Sequence, residues 1–108
     1  MPEVTVNPID GGASISGSLG SIGASTGIEA KVGVSTLDGR HGVYIKNTSS
    51  VVLYWGFSSA TCVCPLAAES SAGKGDGGDI WIDVGAHQQV FIKAASGTTN
   101  TAAVSELK

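Results

Sequence analysis

The apolar residues of this chain fall into short runs at spacings of roughly ten residues, with turn signals between them. Nowhere does an i, i+3, i+4, i+7 apolar pattern persist long enough to build a helix. This patterning predicts an all-β fold, a jelly-roll-like sandwich or a small barrel, with an extended Gly/Ser-rich arm at the N-terminus. The densest apolar runs lie between His41 and Leu66, a stretch that also holds both Tyr and both Cys.

Residues 1–10 read as an extended segment, because Val4 and Val6 alternate with polar neighbours and Pro2 and Pro8 block a helix. Residues 11–27 are rich in Gly and Ser, but Ile15, Leu19 and Ile22 interrupt them. A plain Gly/Ser linker lacks such side chains. Two readings stand: a tail, or an arm that orders on a neighbouring subunit. Residues 28–35 alternate Ile28, Ala30, Val32 and Val34 with polar or small residues, as a half-buried strand does. Asp38-Gly39 then marks a turn, since Gly adopts φ > 0 without a Cβ clash.

Val43 and Ile45 share one face of the next strand, and Tyr44 and Lys46 the other. Residues 51–57 are apolar on both faces, which predicts a strand covered on two sides. Gly56 inside that run predicts a bulge or a close backbone approach. A short strand over 61–64 should stop at Pro65, and a long exposed Gly-rich loop should follow. Strands are expected over 80–84, over 88–94 with Val90 and Ile92 inward, and over 100–106. The domain organisation read from this pattern is an arm and first strand over 1–36 and a sandwich core over 37–108.

The chain has 108 residues, enough for one domain with one core. Only 14% of its residues are charged, against about 25% in a typical soluble domain. With 16 Gly, so low a charge points to surfaces covered by something else, and thus to assembly. Net charge is −3, and the Lys and Arg residues do not cluster. Nucleic-acid binding is therefore not expected. No basic n-region with an apolar h-region opens the chain, and no apolar run reaches membrane-span length, so neither secretion nor membrane insertion is expected.

The motifs that carry chemistry elsewhere do not survive inspection here. Cys62-Val63-Cys64 places two thiols on one face of a strand, too close for a relaxed disulfide. With His41 and His87 the pair supplies four zinc donors only if the fold converges them. Buried thiols acting as small hydrophobes are the preferred reading. Gly73–Gly78 fits GxGxxG literally, but a strand rather than a helix follows it, so it reads as a loop. Asp76 and Asp79 alone offer too few oxygens for calcium. Asn47-Thr48-Ser49 matches a glycosylation sequon but reads as a turn. No Ser/His/Asp or Cys/His set has meaningful spacing. The chain is read as a non-enzyme with no cofactor, and Tyr44, Tyr54, Trp55, Phe57 and Trp81 as burying area against a second sheet or a partner.

The order LDGRHGVYIKNTSSVVLYWGFS, CPLAAES, IWIDVGAHQQVFIKAASGTTNTAAVSEL resembles a recurring small β-module of tailed-bacteriophage virion proteins. The matching positions are Arg40–Ser50, Val51–Gly56, Pro65–Glu69, Ile80–Val84 and Phe91–Glu106. The chain departs from the pattern at Glu69, where the module often has Gly, and in its extra loop 71–79 and CxC. The resemblance implies a capsid decoration (cement) protein, made in the host cytoplasm and placed on the capsid surface of the virion. Such a protein binds the major capsid protein, commonly as a homotrimer, and braces capsomer junctions. The residues expected to carry these contacts are Val4, Val6, Ile15, Leu19 and Ile22 of the arm, with Tyr44 and Trp81. The alternative is a tail- or fibre-associated module binding host glycans through Tyr44, Trp55 or Trp81.

Overall fold

The structure, a computed structural model, describes residues 14–108. It is all-β, with eight strands: β1 (Ile15–Ile22), β2 (Ile28–Glu29), β3 (Gly42–Asn47), β4 (Leu53–Gly56), β5 (Cys64–Leu66), β6 (Asp79–Ile82), β7 (Phe91–Ala94) and β8 (Asn100–Leu107). They form two antiparallel four-stranded sheets, ordered β1-β8-β3-β6 and β2-β7-β4-β5. Every pairing is antiparallel, and the outermost strands of the sequence pair with each other: β1 with β8, β2 with β7, β3 with β6 and β4 with β5. Neither sheet closes on itself among the described residues, so the barrel expectation gives way to a sandwich-like arrangement.

Period-two alternation decides what goes inside. Val43 and Ile45 of β3, Ile82 of β6, and Ala102 and Val104 of β8 turn inward from the first sheet. Leu53, Leu66, Ile92 and Ala94 meet them from the second, with Ala30 and Val90 filling beside the short β2 and β7. Each fully buried Val, Ile or Leu contributes about 1.5–3 kcal/mol relative to exposure.

From Ile15 onward, the segment expected to be an arm is part of the fold. β1 adds to the outer side of β8, from Ile15 opposite Glu106 to Ile22 opposite Asn100, with a register shift between Leu19 and Ile22 where Ser21 takes φ 55. Ile22 is fully buried in the core. The expected boundary at residue 36 therefore divides nothing: β1 and β2 are edge strands of the two sheets that also hold β3–β8.

The strand expected over 28–35 stops after Glu29, and Val34 is 97% exposed. The reason is a carboxylate. Glu106 points inward from β8 and accepts hydrogen bonds from the Val32 N–H at 2.9 Å and the Leu37 N–H at 3.1 Å. These bonds draw the backbone off the ladder. Arg40 completes the arrangement, its Nη1 2.9 Å from Glu106 and its Nη2 donating to the carbonyls of Gly85 and Gln88. Both side chains are fully buried. The turn before Arg40 does contain Gly39 at positive φ, 74°, and it delivers Arg40 inward.

Residues 51–57 are covered on one side only. Leu53 and Trp55 pack toward the core, while Tyr54 lies on the outer face and Phe57 is 50% exposed, because no third layer covers the second sheet. Gly56 meets the expectation of close approach: a Cβ there would collide with the Thr61 carbonyl oxygen. Pro65 does not stop a strand but sits inside β5. It is tolerated because β5 is an edge, where a missing N–H loses no ladder bond. The Gly-rich loop is exposed yet internally tied, with Glu69 buried and accepting from the N–H groups of Gly73 and Gly75, both at 3.1 Å.

Candidate interaction surface

Two features stand out on the surface: one bare strand edge and one aromatic pair. Sheet edges expose rows of unpaired N–H and C=O groups, and soluble proteins blunt them with charge, proline or brevity. Three of the four edges here are blunted. β6 carries Asp79, β2 is two residues long and carries Glu29, and β5 carries Pro65. β1 is eight residues long with the sequence ISGSLGSI, and it has neither charge nor proline. Ser16, Gly17, Ser18, Gly20 and Ser21 are exposed along it. Its bulge lies at the far end, so Ile15–Leu19 presents a regular edge.

The aromatic pair sits on the outer face of the first sheet. Tyr44 of β3 is directly opposite Trp81 of β6. The Tyr44 hydroxyl donates to Asp79 Oδ2 at 2.5 Å, and Trp81 Nε1 donates to Asp83 Oδ1 at 2.7 Å. The hydrogen bond to Asp79 raises the Tyr44 phenol above its ordinary value, with burial and the same negative charge adding to it. The sign follows directly. The folded state holds this proton more tightly than the unfolded chain does, so the contribution is present below the ordinary tyrosine range and lost as pH rises through the raised value. Asp79→Asn is expected to bring the Tyr44 titration back toward that of free tyrosine, read by ultraviolet absorbance against pH. An unchanged titration would refute the assignment.

The remaining sequence candidates separate. Val4 and Val6 lie outside the described residues. Ile15 and Leu19 are half-buried on β1, with Leu19 packed against the core. Ile22 is unavailable to any partner. Trp55 is half-buried against the core and stacks edge-to-face on Phe57 at 5.5 Å between ring centroids, so it does not join Tyr44 and Trp81. The two Cys do not share a strand face. Cys62 precedes β5 and is buried, its Sγ 3.4 Å from the Ser58 carbonyl oxygen, while Cys64 opens β5 half-buried. Burial pushes the Cys62 thiol up, against a smaller pull from Lys93, which makes it a poor nucleophile near neutral pH. His41 and His87 are exposed, and no group of three His, Cys, Asp or Glu converges among the described residues.

A shallow groove of about 380 Å³ crosses the outer face of the second sheet, lined in part by Ala24, Tyr54, Cys62 and Lys93. It lacks the several convergent polar groups that fix a small ligand. Asn47 of the sequon is fully buried and ties the 48–51 turn, so it presents no acceptor for a glycan. No helix among the described residues is long and apolar enough to cross a membrane.

Sequence reasoning missed three members of the aromatic surface: Gly42, Asp79 and Asp83. Two were within its reach, since Asp79, Trp81 and Asp83 alternate and must share a face. The chain matches no protein-family model, no curated protein and no solved structure.

Proposed function

We propose that the chain is a non-enzymatic structural protein of a tailed-phage virion, a decoration protein that binds the outer shell and braces capsomer junctions as a trimer. The observation that carries this reading is the unblunted β1 edge. Among the described residues three edges are protected and the fourth is bare, which is how a sheet is left when another strand is meant to add to it. Strand addition takes its affinity from main-chain hydrogen bonds, so it suits a Gly/Ser sequence with few side chains to match. The nested pairing of first with last and second with second-last strands is further support, since it is compatible with a jelly-roll wrapping, an architecture used in viral shells. The sequence resemblance adds the choice of virion and shell.

The test uses shells assembled from a tailed-phage major capsid protein. The purified chain is expected to sediment with them. A variant with Ser18 replaced by Pro is expected to stay in the supernatant while retaining β circular dichroism and a cooperative unfolding transition, because an edge strand tolerates proline where the N–H faces away from its neighbour. Sedimentation of the variant at the wild-type level would remove the edge from the proposal. Failure of the wild-type chain to sediment would remove the shell. Deleting residues 1–27, by contrast, takes away β1 and Ile22, and is expected to destabilise the fold itself.

A further inference from the structure

The geometry points to a second binding surface, independent of the β1 edge: Trp81, Tyr44 and Gly42, flanked by Asp79 and Asp83, form a stacking platform for a neutral sugar ring. Trp81 is 47% exposed on an edge strand and is paired across the strands with Tyr44, so two aromatic side chains share this face. Its position is held rather than loose. Nε1 is tied to Asp83, two residues on and just past the end of β6. A Cβ added at Gly42 would overlap Cζ2 and Cη2 of the ring. Both restraints draw the indole in one direction, down the sheet toward Gly42 and away from an upright pose. Gly42 is the position whose missing side chain lets the ring lean there. Tyr44 stands directly across from Trp81 and is held by its own hydrogen bond to Asp79.

Aromatic rings held on a firm floor offer an apolar face that needs little ordering when a ligand arrives. A pyranose presents a matching apolar C–H face and a rim of hydroxyls. Each aspartate spends one oxygen on its aromatic neighbour, and its other oxygen has no side-chain partner among the described residues. Those oxygens are acceptors for ring hydroxyls. The two carboxylates also choose the ligand's charge. With Lys46 paired opposite Asp79 the face still carries more negative than positive charge, which disfavours phosphates and acidic sugars and leaves neutral hexoses and N-acetylhexosamines. Beyond Tyr44 the face is low: Ser105 lies opposite it on β8, and Ser16 opposite Ser105 on β1, with the two hydroxyls 2.8 Å apart.

The experiment is a titration of the full chain with cellohexaose, maltohexaose and chitohexaose, with sialyllactose as the acidic comparison, followed by calorimetry and intrinsic tryptophan fluorescence. At least one neutral oligosaccharide is expected to bind and perturb the fluorescence, and sialyllactose to bind none or more weakly. Trp81→Ala is expected to weaken that affinity about tenfold, the scale of one lost aromatic contact. Asp83→Ala is expected to weaken it less, because the indole is unpinned but present. Trp81 is exposed, so both variants should keep the wild-type circular dichroism. No binding by any of the neutral probes, or equal binding by Trp81→Ala, overturns the platform. A native mass that falls in Trp81→Ala without any sugar response also overturns it, in favour of contact between copies of the chain.

Discussion

Glu106→Ala is expected to cost about 3–5 kcal/mol of stability, the scale of breaking a buried ion pair from one side. The whole domain has about 5–15 kcal/mol to lose. Removing the carboxylate leaves three donors without an acceptor: Arg40 Nη1 and the N–H groups of Val32 and Leu37. The first is a charge with no water around it, since the Arg40 side chain is fully buried. Arg40 is already stretched, for its Nε has no partner among the described residues. The measurement is the urea midpoint at constant slope. Glu106→Gln keeps the shape and one acceptor oxygen and should fall between wild type and alanine. An Arg40→Met, Glu106→Leu double variant separates charge from backbone. If the ion pair alone mattered, the apolar pair would recover wild-type stability. Because Glu106 also holds the two backbone donors of the 31–37 segment, recovery should be partial. Full recovery would show that the segment does not need the carboxylate.

The second large effect belongs to Asn47. Asn47→Ala is expected to cost about 3 kcal/mol or more, at about 1–3 kcal/mol for each buried group left unpaired. Its Nδ2 donates to the carbonyls of Val51, at 2.9 Å, and Leu66, at 3.0 Å. Its Oδ1 accepts from the N–H and hydroxyl of Ser49, at 2.8 and 2.7 Å. One amide thus joins the end of β3 in the first sheet, the following turn, and the end of β5 in the second sheet. Its backbone is committed as well: the N–H donates to Gly78 at 2.8 Å, and the carbonyl oxygen stands where a Cβ of residue 77 would go. Gly77→Ala should therefore reproduce the loss by pushing the 66–79 loop away, with Asn47 itself unchanged. Asn47→Asp keeps the acceptor for Ser49 but turns a buried carboxylate oxygen on the carbonyls of Val51 and Leu66, and should cost at least as much as alanine. An Asn47→Ala protein with an unchanged urea midpoint would mean that water replaces all four bonds, and that the turn closes without its amide.

The bare β1 edge and the Trp81 platform lie on the same sheet but at opposite edges, β1 on one side and β6 on the other. A strand can therefore add to β1 while the aromatic face stays open. The two tests above are independent, since Ser18 and Trp81 sit on different strands with β8 and β3 between them.

The sequence by itself determined what depends on near neighbours. Alternation placed Val43, Ile45, Val90 and Ile92 inward, because successive side chains of a strand must point to opposite faces. Asp38-Gly39 marked a turn, because only glycine takes positive φ freely. The absence of helical periodicity settled the all-β class. Tertiary structure decided everything that joins distant segments. Glu106 reads in the sequence as a polar residue near the end of the last strand. Only the fold brings it to Arg40, 66 positions earlier, and to Val32, 74 positions earlier, where burial turns it into the anchor that ends β2. Residues 11–27 read as an arm because Gly and Ser have weak strand propensity. β1 forms there because β8 supplies a ladder and Ile22 finds the core, and neither is local to it. Gly42 looked like the first residue of a strand. Its meaning, room for the Trp81 ring, exists only once β6 pairs with β3 across the long Gly-rich loop. A side chain's periodicity is written beside it in the chain, but its hydrogen-bond partners and the space above it belong to strands that meet only on folding.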